Sequence, residues 1–175
     1  QDDNAETFFL HLARGSGLRG LGGIYPVNGM YIRPLLCVGR KEIEDYLKGR
    51  EMSYCIDATN MEDAYMRNRI RNHVIPYFKE NINEKTVEHM NRSMDLLREI
   101  WDYMERQTES AYQICTAQNG EKICIHAEAY HRQERLIRKM ILRKALALVA
   151  EHEKDLEQVH VEKLEGLFEK QVGKR

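Results

Sequence analysis

The stretch VEHMNRSMDLLREIWDYMERQTESAYQIC, residues 87–115, decides the fold. Within it Val87, Met90, Met94, Leu97, Trp101, Met104, Thr108, Ala111 and Cys115 recur three and four residues apart, with polar side chains between them. That spacing keeps a narrow apolar seam along one side of a long helix. The simplest partner for the seam is the core of a helical domain, and Trp101 on it favours such packing. A coiled-coil homodimer is the second reading. Downstream, Asn119-Gly120 breaks the helix and Ile123-Cys124-Ile125 is a brief strand-like run. Leu136, Ile137, Met140, Ile141, Ala147 and Leu148 then restore helical periodicity, and Val161, Leu164, Leu167 and Phe168 mark a last helix.

Upstream of residue 80 the texture differs. Ala5, Phe8, Phe9 and Leu12 give a first helix one apolar face that ends at Gly15. Asn28-Gly29 lies between Tyr25-Pro26-Val27 and Met30-Tyr31-Ile32, which reads as a short hairpin with a type I′ turn. Ile43, Tyr46 and Leu47 mark a helix stopping at Gly49, and Met52 to Ile56 suit an extended segment. A helical pattern from Arg67 to Val74 meets Pro76, which kinks or ends it. The chain is therefore read as mainly α, with an α/β segment over 1–80 and a helical domain with a small strand element over 81–175.

Composition narrows the function classes. With 27 basic and 28 acidic residues in 175, a nucleic-acid surface must be a local cluster. Cys37, Cys55, Cys115 and Cys124 form no Cys-x-x-Cys pair and have no His at zinc-finger spacing, so reduced thiols in the cytoplasm are expected, with no metal site. His126, Glu128 and His131 do not match helical ligand spacing and are assigned no chemistry. No apolar run approaches the ~20 residues of a membrane span. A start at Gln1 with a helix beginning at once reads as a fragment with residues missing before it.

Three segments carry chemistry. Asp2-Asp3-Asn4-Ala5-Glu6-Thr7 puts carboxylates at a helix start, and Arg14-Gly15-Ser16-Gly17-Leu18-Arg19-Gly20-Leu21 offers a backbone able to approach phosphate closely. Together they suggest nucleotide chemistry. Arg67, Arg69 and Arg71 stand on one short helix, with Arg67 and Arg71 sharing a face that suits a polyanion. Each has a plainer reading. Asp3 and Glu6 have capping-box spacing, and the glycines suit a helix end and turn. The arginines suit a solvated face paired with Glu62 and Asp63. Asp57-Ala58-Thr59-Asn60 reads as a side-chain-bonded turn.

Taken with Arg33-Pro34-Leu35-Leu36, these segments in this order and spacing resemble the bacterial tRNA(Ile)-lysidine synthetases, most specifically over residues 1 to about 80. The resemblance implies a PP-loop ATP pyrophosphatase domain whose C-terminal portion is residues 1–80, followed by that family's helical domain. It also implies a ligase that adenylates the C2 oxygen of the wobble cytidine of tRNA(Ile) with ATP and Mg2+, then joins free L-lysine to it. Asp3 is implied as the base for the lysine amine, an ammonium at neutral pH with a reference pKa of about 10.4. Glu6, Thr7, Arg14, Gly15, Ser16, Gly17, Arg67, Asn68 and Arg71 are implied as ATP- or substrate-binding residues. Neither the family's Ser-Gly-Gly-x-Asp-Ser phosphate loop nor its C-terminal tRNA-binding domain occurs in the sequence, so the isolated chain is expected to be inactive. The rival reading is a tRNA-binding or dimerisation module without chemistry. A tRNA-thiolating PP-loop enzyme is a second rival, disfavoured because its chemistry calls for suitably paired cysteines.

Overall fold

The computed structural model describes residues 1–55, 65–120, 122–150 and 158–169. It is mostly helical, with two small antiparallel sheets. Two compact units divide between Trp101 and Asp102. That division falls within the long helix. The cause lies in the seam, whose first half packs into the core of the first unit.

In the first unit, α1 spans Asp2–Ala13, and a short α2, Leu18–Leu21, follows the glycine-rich turn. Strands β1, Val27–Asn28, and β2, Tyr31–Ile32, pair with Val27 opposite Ile32 and Asn28 opposite Tyr31. The central residues of the turn are thus Gly29 and Met30, and only Gly29 has positive φ (58°). One positive φ at the first central position is the pattern of a type II′ turn, not the I′ turn expected from Asn28-Gly29. Helix α3, Arg40–Gly49, ends where its sequence predicts. Met52 to Cys55 form no strand, while Ile56 and the Asp57-Ala58-Thr59-Asn60 turn lie outside the described residues.

Helix α4, Met66–Arg69, runs through a π-helical segment, Ile70–Val74, into α5, Ile75–Asn81. Pro76 therefore does not end the helix before Tyr77 and Phe78. A proline ring clashes with the carbonyl four residues earlier and donates no hydrogen bond, and the widened π turn just before it removes that conflict. Ala5 of α1 packs with Ile70, Ile75 and Val87, flanked by Phe9, Leu10, Val74 and Met90. Leu12, expected on the same face, is exposed, and Leu10 takes its place.

Helix α6 spans Thr86–Cys115. Its nine seam positions are all buried or half-buried. Val87 belongs to the first unit's core and Ala111 and Cys115 to the second's, so both ends of the seam pack within their own units. The helix stops at Cys115, short of Asn119-Gly120, because Thr116–Asn119 forms β3 and pairs with β4, Lys122–Ile125. Helices α7, Ala127–His131, α8, Arg135–Val149, and α9, Gln158–Glu169, complete the second unit. Tyr130 stacks on Phe168, ring centroids 4.6 Å apart, in a core with Ile141, Leu142 and Val161. On α8, Leu142 and Ala145 are buried while the expected Leu136 and Leu148 are exposed.

Candidate functional site

Asp3, Glu6 and Thr7 are three and four residues apart, so they share one face of α1. That face meets Arg67 of α4 and Arg71 of the π segment. Glu6 is the hub, with its side chain only 1% exposed. Its Oε2 accepts from Arg67 Nε at 2.8 Å and from Arg71 Nη2 at 3.0 Å, while Oε1 accepts from Arg71 Nε at 2.6 Å. A carboxylate taken this far from water needs such charge-assisted partners. Arg71 Nη2 also donates to Asp3 Oδ1 at 3.2 Å. Arg67 Nη2 donates to the Asp3 carbonyl at 3.1 Å and to Thr7 Oγ1 at 3.2 Å. Thr7 Oγ1 in turn donates to the Asp3 carbonyl at 2.9 Å.

Asp3 and Glu6 therefore do not form a capping box. Gln1 is the N-cap, without a side-chain bond to the helix end, and both carboxylates turn to arginine. Nor do Arg67 and Arg71 form an unpaired cationic patch, since two guanidiniums face two carboxylates. Their other proposed partners, Glu62 and Asp63, lie outside the described residues. The hydrogen bond to Glu6 raises the pKa of Arg71 above its ordinary value, aided by the charges of Glu6, Asp3 and Asp2 and opposed by burial. Arg67 remains 44% exposed and Asp3 68% exposed. Arg67 Nη1 makes no hydrogen bond among the described residues. The site thus presents an accessible carboxylate, held through Arg71, beside an accessible guanidinium, held by Glu6.

Asn68, between the two arginines, is buried. Asp2 serves elsewhere, its Oδ2 accepting from the Arg40 amide at the first turn of α3 at 2.8 Å. The segment Arg14 to Gly17 is not gathered into the cluster. Arg14 caps the far end of α1, about 16 Å along the axis from Asp3 at ~1.5 Å per residue, and is exposed. Gly15 turns the chain with φ 69°, Ser16 N donates to the His11 carbonyl at 2.9 Å, and Gly17 is the N-cap of α2.

No group of three or more His, Cys, Asp or Glu side chains suited to a metal occurs among the described residues. For Mg2+ the cluster offers Asp3 alone, because Glu6 is saturated by arginine and Asp2 caps α3. Such an ion fits here only if phosphate and water supply the rest of its shell. A cavity of about 320 Å3 opens at the N-terminal end of α1, with Asn4, Asn91, Asp95 and Arg98 in its wall. That size suits a small ligand.

Two contributors escaped sequence reasoning. Asn4 and Asn91, buried and half-buried, join α1 to α6 through a 2.8 Å hydrogen bond across 87 residues. No local periodicity could have signalled that pairing.

Comparison with known proteins places these residues in context. The PP-loop domain family matches residues 1–78, a segment containing the whole cluster. Over 176 residues the chain is 42% identical to the tRNA(Ile)-lysidine synthase of Caldanaerobacter subterraneus subsp. tengcongensis, covering 100% of this chain and 38% of that protein. It is 34% identical over 175 residues to the tRNA(Ile)-lysidine synthase of Clostridium acetobutylicum, covering 99% and 38%. Over 151 residues it is 36% identical to that of Geobacter sulfurreducens, covering 84% and 32%. The chain spans less than two-fifths of the length of these relatives.

Proposed function

Because this chain belongs to the tRNA(Ile)-lysidine synthase family, we propose that the protein containing it is an ATP-dependent ligase that converts the wobble cytidine of tRNA(Ile) to lysidine. The observation that carries the reading is the identity with a tRNA(Ile)-lysidine synthase along the whole chain. The reaction has two steps. The cytidine C2 oxygen attacks the α-phosphate of ATP and expels pyrophosphate, and then the lysine ε-amine attacks C2 and AMP departs. Mg2+ carried by the ATP phosphates neutralises part of their charge.

The residues of this chain divide the work. Arg67, with an unengaged Nη1 and a half-exposed side chain, and Arg71 beside it hold phosphate. Glu6 keeps both guanidinium planes fixed, so no reorganisation is needed when phosphate arrives. Thr7 steadies Arg67. Asn68 lies between the arginines, and its burial fixes the helix that carries them. Asp3 accepts the proton of the lysine ε-ammonium, freeing the lone pair that attacks C2. Arg14, Gly15, Ser16 and Gly17, at the other end of α1, form a separate contact for nucleotide or lysine. The protein acts in the cytoplasm, with tRNA(Ile) and free lysine as substrates.

The test is transfer of radiolabelled lysine to tRNA(Ile) by the complete protein. Label should enter tRNA only with ATP present, and with equimolar AMP and pyrophosphate. Labelling without ATP, or pyrophosphate release without lysine incorporation, would overturn the reading.

A further inference from the structure

Asn4 is the most fully committed polar side chain of α1 outside the carboxylate cluster. Its Oδ1 accepts from the Ile24 amide at 2.7 Å and its Nδ2 donates to Asn91 Oδ1 at 2.8 Å. Asn91 is itself fixed, since its Nδ2 donates to the Val87 carbonyl at 2.8 Å and to the Gln1 carbonyl at 3.3 Å. The approach of Ile24 depends on Gly23. With φ 71°, a Cβ there would stand 2.4 Å from Asn4 Oδ1 and 2.5 Å from Met94 Sδ. Asn4 is 2% exposed, so the clamp operates away from water.

Asn4 and Glu6 are two residues apart, about 200° around a helix with ~3.6 residues per turn. They grip nearly opposite sides of the first turn of α1, Asn4 through α6 and Glu6 through the arginines. Asp3 immediately precedes Asn4 on that same turn, and among the described residues its carboxylate is held by Arg71 Nη2 alone, at 3.2 Å. We propose that the Asn4–Asn91 clamp is the positioning device of the site, setting the roll of α1 about its axis and hence the place of Asp3 against Arg71. This rests on the lysidine reading for its kinetic consequence but not for its structural one. At a side-chain radius of ~5–6 Å, a roll of ~10° displaces the Asp3 carboxylate by about 1 Å, and a misplacement of that size costs up to ~100-fold in rate.

Asn91 touches no reacting group in this scheme, which makes it the position to vary. Asn91→Ala removes the acceptor for Asn4 Nδ2, whereas Asn91→Asp retains it, its second oxygen taking up a proton so that a donor still faces the Val87 carbonyl. In the chain, the Nε–H signal of Arg71, held by Glu6, is followed by nitrogen-resolved NMR, with backbone amides of the second unit as the folding control. The signal should shift or broaden in Asn91→Ala and stay near its wild-type position in Asn91→Asp. In the complete protein, Asn91→Ala should lower kcat for lysidine formation by about 10- to 100-fold, with KM for ATP and tRNA within about twofold, and Asn91→Asp should recover most of the loss. An unmoved Arg71 signal in Asn91→Ala overturns the proposal whether or not the protein makes lysidine. So does an equal loss of kcat in both variants. A complete wild-type protein that forms no lysidine defeats the functional reading instead, leaving the Arg71 signal to decide on the clamp.

Discussion

Replacing Glu6 by Gln removes the charge that joins two arginines while keeping the side-chain volume. Losing one member of a fully buried pair costs ~3–5 kcal/mol because the other charge is stranded. Here the stranded charges are not fully buried, since Arg71 is 22% and Arg67 44% exposed, and water recovers part of the cost. The amide oxygen of Gln can accept one of the three N–H bonds, but its NH2 group then faces a guanidinium. The expected loss is about 2–3 kcal/mol, in the range for hydrogen bonds to charged groups. It should divide unevenly. Arg71 grips Glu6 through two bonds and is the more buried partner, so a double-mutant cycle should give a coupling of ~2 kcal/mol for Glu6 with Arg71 and ~1 kcal/mol or less for Glu6 with Arg67. Urea unfolding followed by circular dichroism measures both, provided the m-value is unchanged. A Glu6→Gln variant within ~0.5 kcal/mol of wild type, the range of surface changes, would refute the hub role. A larger coupling to Arg67 would refute the burial argument.

Three further outcomes follow from the packing. Met94, fully buried on the seam beside Gly23, should cost ~2–5 kcal/mol as Met94→Ala, and half-buried Leu97 less as Leu97→Ala; equal urea midpoints would contradict this. A thiol reagent should label Cys37, Cys55 and Cys124 in the native chain but reach Cys115 only after unfolding, because burial both shields that thiol and raises its pKa. The hydrogen bond from Lys144 holds the pKa of the Glu109 carboxylate below its ordinary value, so any stability it contributes is present at neutral pH and lost as pH falls through that lowered value. Lys144→Gln should move the Glu109 titration upward, read from its side-chain carbon chemical shift, and an unmoved titration would remove the ion pair from the account.

The long helix was legible because a seam of nine positions is a local pattern that repeats, and every one of them is at least half-buried. The hairpin was legible in existence but not in register, because Asn28-Gly29 satisfies a turn rule that pairing of Asn28 with Tyr31 shifts by one residue. At Pro76 the ending of the helix was the wrong alternative because a π turn lets a helix pass a proline, and nothing local distinguishes that outcome from a break. At the site, the important residue types were visible while their partnerships were not. Asp3 and Glu6 have the same spacing whether they cap a helix or face arginine, and the partners of Glu6 lie 61 and 65 residues away. The arginines likewise read as a positive patch until the fold delivers two carboxylates to them. Asn4 lay in plain view between Asp3 and Ala5, but its role depends on Asn91 and Gly23, which only the tertiary structure brings near.

In the proposed reaction Asp3 takes the proton from the lysine amine at a site braced by Glu6, Arg67 and Arg71. This step is tested most directly by single-turnover lysidine formation in the complete protein bearing Asp3→Asn, with ATP, lysine and tRNA(Ile) saturating. Asparagine keeps the shape and an acceptor oxygen for Arg71 but cannot hold the proton. The expected rate is ~10²–10⁴-fold below wild type, with tRNA affinity unchanged. A rate within twofold of wild type would contradict it and leave Asp3 as a structural partner of Arg71.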